Sequence, residues 1–277
     1  MRIQILGTGA AEGFPALFCD CSTCRRARAA GGKNIRSRLC LRIGEDLLVD
    51  IPPDLLGQTH RAGFSLASIQ HVLITHSHRD HFTPSELLWR DEPFAVWEGR
   101  PALHIYGVPH VGQVLEAAFD DDPVDHDIRF HTVRPFMPFG VADFEVTPIE
   151  ANHAHDRGAV NYILSRGTRS LLIAFDTGWY GERSWAALNG RKFDVVIMEC
   201  TNGLFDDPDA EHLSVDGVKR MHAQLSGRGC LNVETLFVTV HFSHNGGLLH
   251  EELEGRLARF GIIVGYDGLV VEIPERG

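Results

Sequence analysis

An apolar stretch, Val72-Leu73-Ile74-Thr75, runs directly into His76-Ser77-His78-Arg79-Asp80-His81, and no other part of the chain constrains it as tightly. Three imidazoles and a carboxylate packed into one short turn are costly to bring together unless something binds them. Neutral imidazole and carboxylate are good donors for zinc, manganese or iron, and a tight turn aims alternate side chains at one ion and the rest at a neighbour. Such a loop needs a strand to deliver it to a rim.

Length and composition allow this. The chain has 277 residues, 44% of them hydrophobic and 23% charged, enough to bury a full core, and it reads as one domain over residues 1–277. Short β-branched and leucine-rich runs recur as predicted strands at Ile3 to Leu6, Leu39 to Ile43, Leu47 to Ile51, His71 to Thr75 and Leu103 to Tyr106. Five more follow at Phe144 to Ile149, Val160 to Leu164, Leu171 to Phe175, Val195 to Met198 and Leu236 to Val240. Helical patterns lie between them at Pro53 to Arg61, Pro84 to Arg90, Pro109 to Phe119, Ser214 to Leu225 and Leu248 to Phe260. Asp120 to Gly140, rich in Asp, Pro and His, reads as a loop-rich crossing. Many short strands with dispersed helices fit two sheets face to face with helices outside, and most reactive residues fall just after strands.

A formal charge of −11 excludes a general nucleic-acid binder, because phosphate affinity comes largely from Lys and Arg. The basic stretch Arg25, Arg26, Arg28, Lys33, Arg36 and Arg38 reads as a solvated face, with anion steering as the rival. The N-terminal run is too short and broken for a signal or membrane segment, so the expected location is the cytoplasm, with no membrane partner. Cys19, Cys21 and Cys24 cluster in a loop, and clustered cysteines in such a protein suggest metal before disulfide. Cys40, Cys200 and Cys230 read as buried thiols.

The metal loop resembles that of the metallo-β-lactamase superfamily. The resemblance implies an α/β four-layer αββα sandwich of two mixed sheets flanked by helices. It also implies that His76, His78 and His153 hold a first metal, that Asp80, His81 and His241 hold a second, and that Asp176 bridges them. Asp50 matches a carboxylate beneath the loop that orients ligands, although the usual Asp-x-Gly is Asp50-Ile51-Pro52 here. An aspartate at position 176 separates the chain from true zinc β-lactamases, which offer Cys or His to the second metal. The histidine at position 78 separates it from flavodiiron proteins.

Leu6-Gly7-Thr8-Gly9, Gly13-Phe14-Pro15, the cysteine cluster and His241-x-x-His244 together resemble the PhnP-like phosphodiesterase branch, with ribonuclease Z and PqqB as relatives. The cysteines with His244 form an expected structural zinc site. His212, in Glu211-His212-Leu213-Ser214, matches a histidine that protonates the leaving group. His155 or Asn152 is a further candidate to touch a phosphate oxygen. The expected activity is hydrolysis of small, cyclic ribose or nucleotide phosphodiesters by a metal-bridging hydroxide, with Asp80 and His212 in catalytic roles. Two divalent ions, zinc or manganese or iron, are expected beside the structural zinc. The rivals are a thioesterase or lactonase on the same site, and a noncatalytic PqqB-like carrier. The expected partner is a small phosphodiester rather than a nucleic-acid polymer, and a homodimer is the expected assembly.

Overall fold

The structure, a computed structural model, describes residues 1–97 and 99–273. The chain opens with β1 (Arg2–Gly7), α1 (Ser22–Ala30), β2 (Cys40–Ile43), β3 (Leu47–Val49), α2 (Leu55–Ala62), β4 (His71–Leu73), β5 (Leu103–Gly107), α3 (Pro109–Glu116) and β6 (Ile128–Thr132). It continues through β7 (Phe139–Val141), β8 (Phe144–Glu150), β9 (Val160–Arg166), β10 (Arg169–Ala174), α4 (Glu182–Leu188), β11 (Val195–Glu199), α5 (Val215–Gly227), β12 (Leu236–Val240), α6 (His250–Leu257), β13 (Ile262–Val264) and β14 (Val270–Glu272). The strands form two seven-stranded sheets, ordered β14-β1-β2-β3-β4-β5-β6 and β13-β12-β11-β10-β9-β8-β7.

One apolar core lies between the sheets and extends to α2 and α3 through Leu55, Val111 and Leu115. A second lies between the second sheet and α4, α5 and α6. This is the expected sandwich of two mixed sheets flanked by helices. In β11, Val195 to Glu199 are all buried, as befits a strand covered on both faces. Helix α5 shows the other period: Val215, Val218, Met221 and Leu225 are buried along one stripe. Full burial stabilises by about 1.5–3 kcal/mol per side chain of this size. Ser214 caps that helix, accepting a hydrogen bond from the Gly217 amide at 2.8 Å.

Each sheet has one parallel half running out to an edge: β3-β4-β5-β6 in the first, β10-β11-β12-β13 in the second. Loops leaving the C-terminal ends of parallel strands converge on one edge, where side chains can face each other across the sandwich.

The stretch from Asp120 to Gly140 departs from its reading as a crossing. It contains β6 and the start of β7, edge strands too short and too polar to show an apolar alternation. The segment Pro84–Arg90 is a 3-10 helix, and Leu248 to Phe260 divides into α6 and a further 3-10 turn. Among the described residues no helix is long and apolar enough to cross a membrane.

Candidate metal centre

The turn after β4 and the ends of β8, β10 and β12 bring seven ligand-capable side chains together. His76, His78, His153 and Asp176 form one group whose donor atoms lie within 4.8 Å of one another. Asp80, His81, Asp176 and His241 form a second. Asp176 belongs to both. Its Oδ2 lies 3.8 Å from His76 Nε2 and 3.6 Å from His153 Nε2, while its Oδ1 lies 3.2 Å from both His81 Nε2 and His241 Nε2. Within the first group, His78 Nδ1 is 2.9 Å from His76 Nε2 and 3.2 Å from His153 Nε2. In the second, Asp80 Oδ2 is 3.1 Å from His81 Nε2 and 3.5 Å from His241 Nε2.

These residues fit a pair of divalent ions on physical grounds. His81 Nε2, His241 Nε2 and Asp176 Oδ1 are buried and have no hydrogen-bond partner. Leaving such atoms orphaned costs about 1–3 kcal/mol each, which ligation would recover. Burial pushes the His76 imidazole well below its ordinary pKa, so it presents a lone pair at neutral pH. Burial would raise the Asp176 carboxyl, but His241 and His81 outweigh it and hold it well below the usual carboxylate range.

Two buried carboxylates hold the histidines from behind. Asp50, fully buried at the end of β3, accepts from His81 Nδ1 at 2.7 Å, from the Thr75 amide at 2.8 Å and from the Thr75 hydroxyl at 2.9 Å. Thr75 Oγ1 lies 3.1 Å from His76 Nδ1, so one aspartate orients two ligand-capable rings. Burial raises the Asp50 carboxyl despite His81 and the Thr75 hydrogen bonds. Asp50 sits at φ +67° and His241 at φ +58°, left-handed positions that cost non-glycine residues about 1–3 kcal/mol and cluster at functional sites. The Asp50 amide is pinned by Leu73 O at 2.9 Å, so the backbone is held without the glycine of the usual pattern.

The second carboxylate, Glu199, was not singled out by its sequence context. It ends β11, is fully buried, and accepts from His212 Nδ1 at 2.7 Å and from the amides of Thr177, Thr201 and Leu213 at 2.7, 3.1 and 3.2 Å. Thr201 Oγ1 also donates to it and lies 2.8 Å from His241 Nδ1. The His212 ring stands 4.7 Å from His153 and 5.8 Å from His241, centroid to centroid. Burial would lower the His212 pKa, but the charge and hydrogen bond of Glu199 push it up to about 9. Glu211 accepts from the Ala154 amide at 2.9 Å and stands 3.5 Å from His153 Nδ1. Gly178 locks these loops together: a Cβ there would fall 2.0 Å from Ala210 O and 2.8 Å from Asn152 Nδ2.

His155 and Asn152 bond each other at 3.0 Å and line a cavity of about 480 Å³ against His153 and Trp179. A neighbouring cavity of about 350 Å³ is lined by His212, Trp179, Leu213 and Arg220.

Cys19, Cys21, Cys24 and His244 form a third donor group, also within 4.8 Å. His244 Nδ1 is 3.6 Å from Cys19 Sγ and 3.5 Å from Cys21 Sγ, with Glu12 3.6 Å from its other nitrogen. The Cys24 amide, then His244, hold the Cys21 thiol down at about 6, favouring thiolate. Cys40, Cys200 and Cys230 are buried. Most of the basic stretch near this group is paired: Arg25 and Arg28 share Asp20, and Arg26 pairs with Glu252, Lys33 with Glu254 and Arg38 with Asp54. Arg36 is buried against Gly265 O, Thr8 and His250.

A relative described as octanoyltransferase, from Porphyromonas gingivalis, is 27% identical over the whole chain, which spans 52% of it, about half its length. Coenzyme PQQ synthesis protein B from Cupriavidus necator is 26% identical over 98% of the chain and 99% of the relative. Among solved structures, a diphosphatase of the PhnP family superposes with a TM-score of 0.74 at 21% identity, covering 99% of this chain and 98% of that one. Zn(2+)-bound PqqB from Methylobacterium extorquens gives 0.75 at 21% identity, covering 99% and 100%. Both likenesses are of fold. The family profile of the beta-lactamase superfamily domain matches residues 46–242, a span holding all seven ligand-capable residues and both supporting carboxylates, and the chain belongs to that family.

Proposed function

We propose that the chain is a metal-dependent phosphodiesterase acting on small phosphodiesters, cyclic ribose or nucleotide phosphates among them. The observation that carries this reading is His212, held by Glu199 at 2.7 Å beside two ligand-capable histidines and outside both ligand groups that share Asp176. His76, His78 and His153 would hold one divalent ion, Asp80, His81 and His241 a second, with Asp176 between them; zinc, manganese and iron all suit this donor set. Bound there, the ions supply positive charge against phosphoryl oxygens and acidify a water.

The chain's own residues do the rest. Asp50 and Thr75 each hold one ring nitrogen of His81 and His76, turning the other toward the ligand groups, and Thr201 does the same for His241. Glu199 takes the His212 Nδ1 hydrogen bond, leaving Nε2 to give its proton to the departing oxygen. A ribose alkoxide leaves poorly without such a proton. The flanking cavities have the size of small-ligand sites, in keeping with a small substrate. Three thiolates and an imidazole suit a closed structural zinc at Cys19, Cys21, Cys24 and His244.

The octanoyltransferase relative favours a second reading, hydrolysis of an acyl thioester or lactone at the same centre. The PqqB relatives favour a third, a noncatalytic carrier. Leaving-group dependence separates them. Metal-free protein resupplied with manganese or zinc should cleave bis(p-nitrophenyl) phosphate and 2',3'-cyclic AMP. His212→Ala should lose about 10²–10³-fold on the cyclic nucleotide and far less on the nitrophenyl ester, whose leaving group needs no proton. Thioester or lactone hydrolysis without phosphodiester cleavage would select the second reading, and metal binding with no turnover the third.

A further inference from the structure

A second histidine cluster lies on the first sheet, away from the metal centre. His71 opens β4, His104 lies in β5 and His131 in β6, three consecutive parallel strands. The register pairs His71 with His104 and Tyr106 with His131, so all four side chains share one face. From His71 to His76 the chain runs five residues, about 16 Å if extended, and β6 stands two strands further from β4.

His104 Nδ1 is 2.8 Å from His131 Nε2, the rings 5.1 Å apart and inclined by only 19°. Tyr106 stacks on His131 at 4.7 Å and on Phe139 of β7 at 5.4 Å, a column that fixes the His131 ring. The His71 ring lies 5.5 Å from His104. Among the described residues no carboxylate is hydrogen-bonded to these three rings. Burial lowers the His71 and His131 imidazoles below their ordinary range, which keeps lone pairs available.

The nitrogen separation is that of a hydrogen bond between one protonated and one free ring nitrogen, a contact that a bound ion would replace. It resembles the 2.9 and 3.2 Å between ring nitrogens of His76, His78 and His153. Two bonds of about 2.0 Å meeting at a right angle set their nitrogens about 2.8 Å apart, whereas a tetrahedral angle sets them about 3.3 Å apart. Turned toward one ion, the pair would reach the right angle of tetragonal ligation with little change in this separation. Copper(II) adopts that geometry and heads the divalent affinity order for imidazole.

We propose that His104 and His131 form a divalent copper site on the margin of the first sheet, two imidazoles in adjacent positions with the remaining positions open to water. The test is copper uptake by the zinc-loaded full chain, read by electron paramagnetic resonance and by the zinc released. Wild-type protein should take up one Cu²⁺ per chain with nitrogen hyperfine structure and no zinc release. His131→Gln and His104→Gln should each weaken that uptake more than tenfold while keeping the wild-type melting temperature without copper. Absence of the copper signal in wild type would overturn the site. So would an equal signal in both variants, or copper uptake matched by zinc release. His71→Gln refines the outcome: copper binding retained there confirms the pair as the site.

Discussion

Asp50 and Glu199 are the same device built twice, once in each sheet. Each is a fully buried carboxylate at the end of a strand, bonded directly to one histidine and, through a threonine, to a second. The difference lies in what they hold. Asp50 serves His81 and His76, both in the two groups that share Asp176, whereas Glu199 serves one ring of those groups, His241, and one ring outside them, His212, with which it forms a further donor group. On the proposed reading, the first carboxylate would work on ion binding alone, and the second would tie ion binding to a proton. Their backbone support differs accordingly: one amide bonds Asp50, three bond Glu199. The three amides and the Thr201 hydroxyl satisfy the Glu199 oxygens beside His212 in a buried place.

The sharpest way to break this comparison is Glu199→Gln. Turnover of 2',3'-cyclic AMP should fall by about 10³-fold, with the first ion still bound. Wild-type turnover would remove Glu199 from any role in proton delivery. Asp50→Asn should instead weaken metal affinity by about 10–100-fold, measured as ions per chain against a chelator series. If both ions stay bound at wild-type affinity, the two carboxylates are not equivalent supports. Thr75→Val and Thr201→Val sharpen the picture further: each should reduce metal affinity about tenfold or less, without shifting the dependence on leaving group.

The smallest expected effect is on pH. With His212 pushed up to about 9, its protonated form prevails at neutral pH, and cyclic-nucleotide turnover should fall as pH rises through its pKa. Glu199→Gln removes the charge that raises this pKa, so the residual activity should fall at lower pH. An alkaline limb at the same pH in both proteins would show that another group titrates there.

The ligand loop was legible because its residues are neighbours in sequence: spacing alone puts His76, His78, Asp80 and His81 in one turn. The cysteine cluster was legible for the same reason. Asp50 and His212 became readable only through resemblance to a family pattern. Glu199 escaped because it ends an apolar run as an ordinary polar residue, and its partner lies thirteen residues on across an irregular loop. Strands β6, β7, β13 and β14 escaped because they are short edge or near-edge strands whose pairing, more than their pattern, defines them. Helix α1, rich in Ala and Arg, offers few apolar positions to reveal a period.

By itself the sequence determined the chemistry of the donors, imidazole and carboxylate in one turn and thiolate in another, because local spacing decides which side chains can share an ion. Tertiary structure decided the partnerships. Asp176, Glu199 and His241 leave three neighbouring parallel strands, β10, β11 and β12, while Asp50 and Thr75 leave neighbouring strands of the facing sheet. No local pattern encodes which strands become neighbours. Parallel pairing aligns their C-terminal ends on one edge, and packing of the two sheets then sets one bridging carboxylate between two clusters of imidazoles.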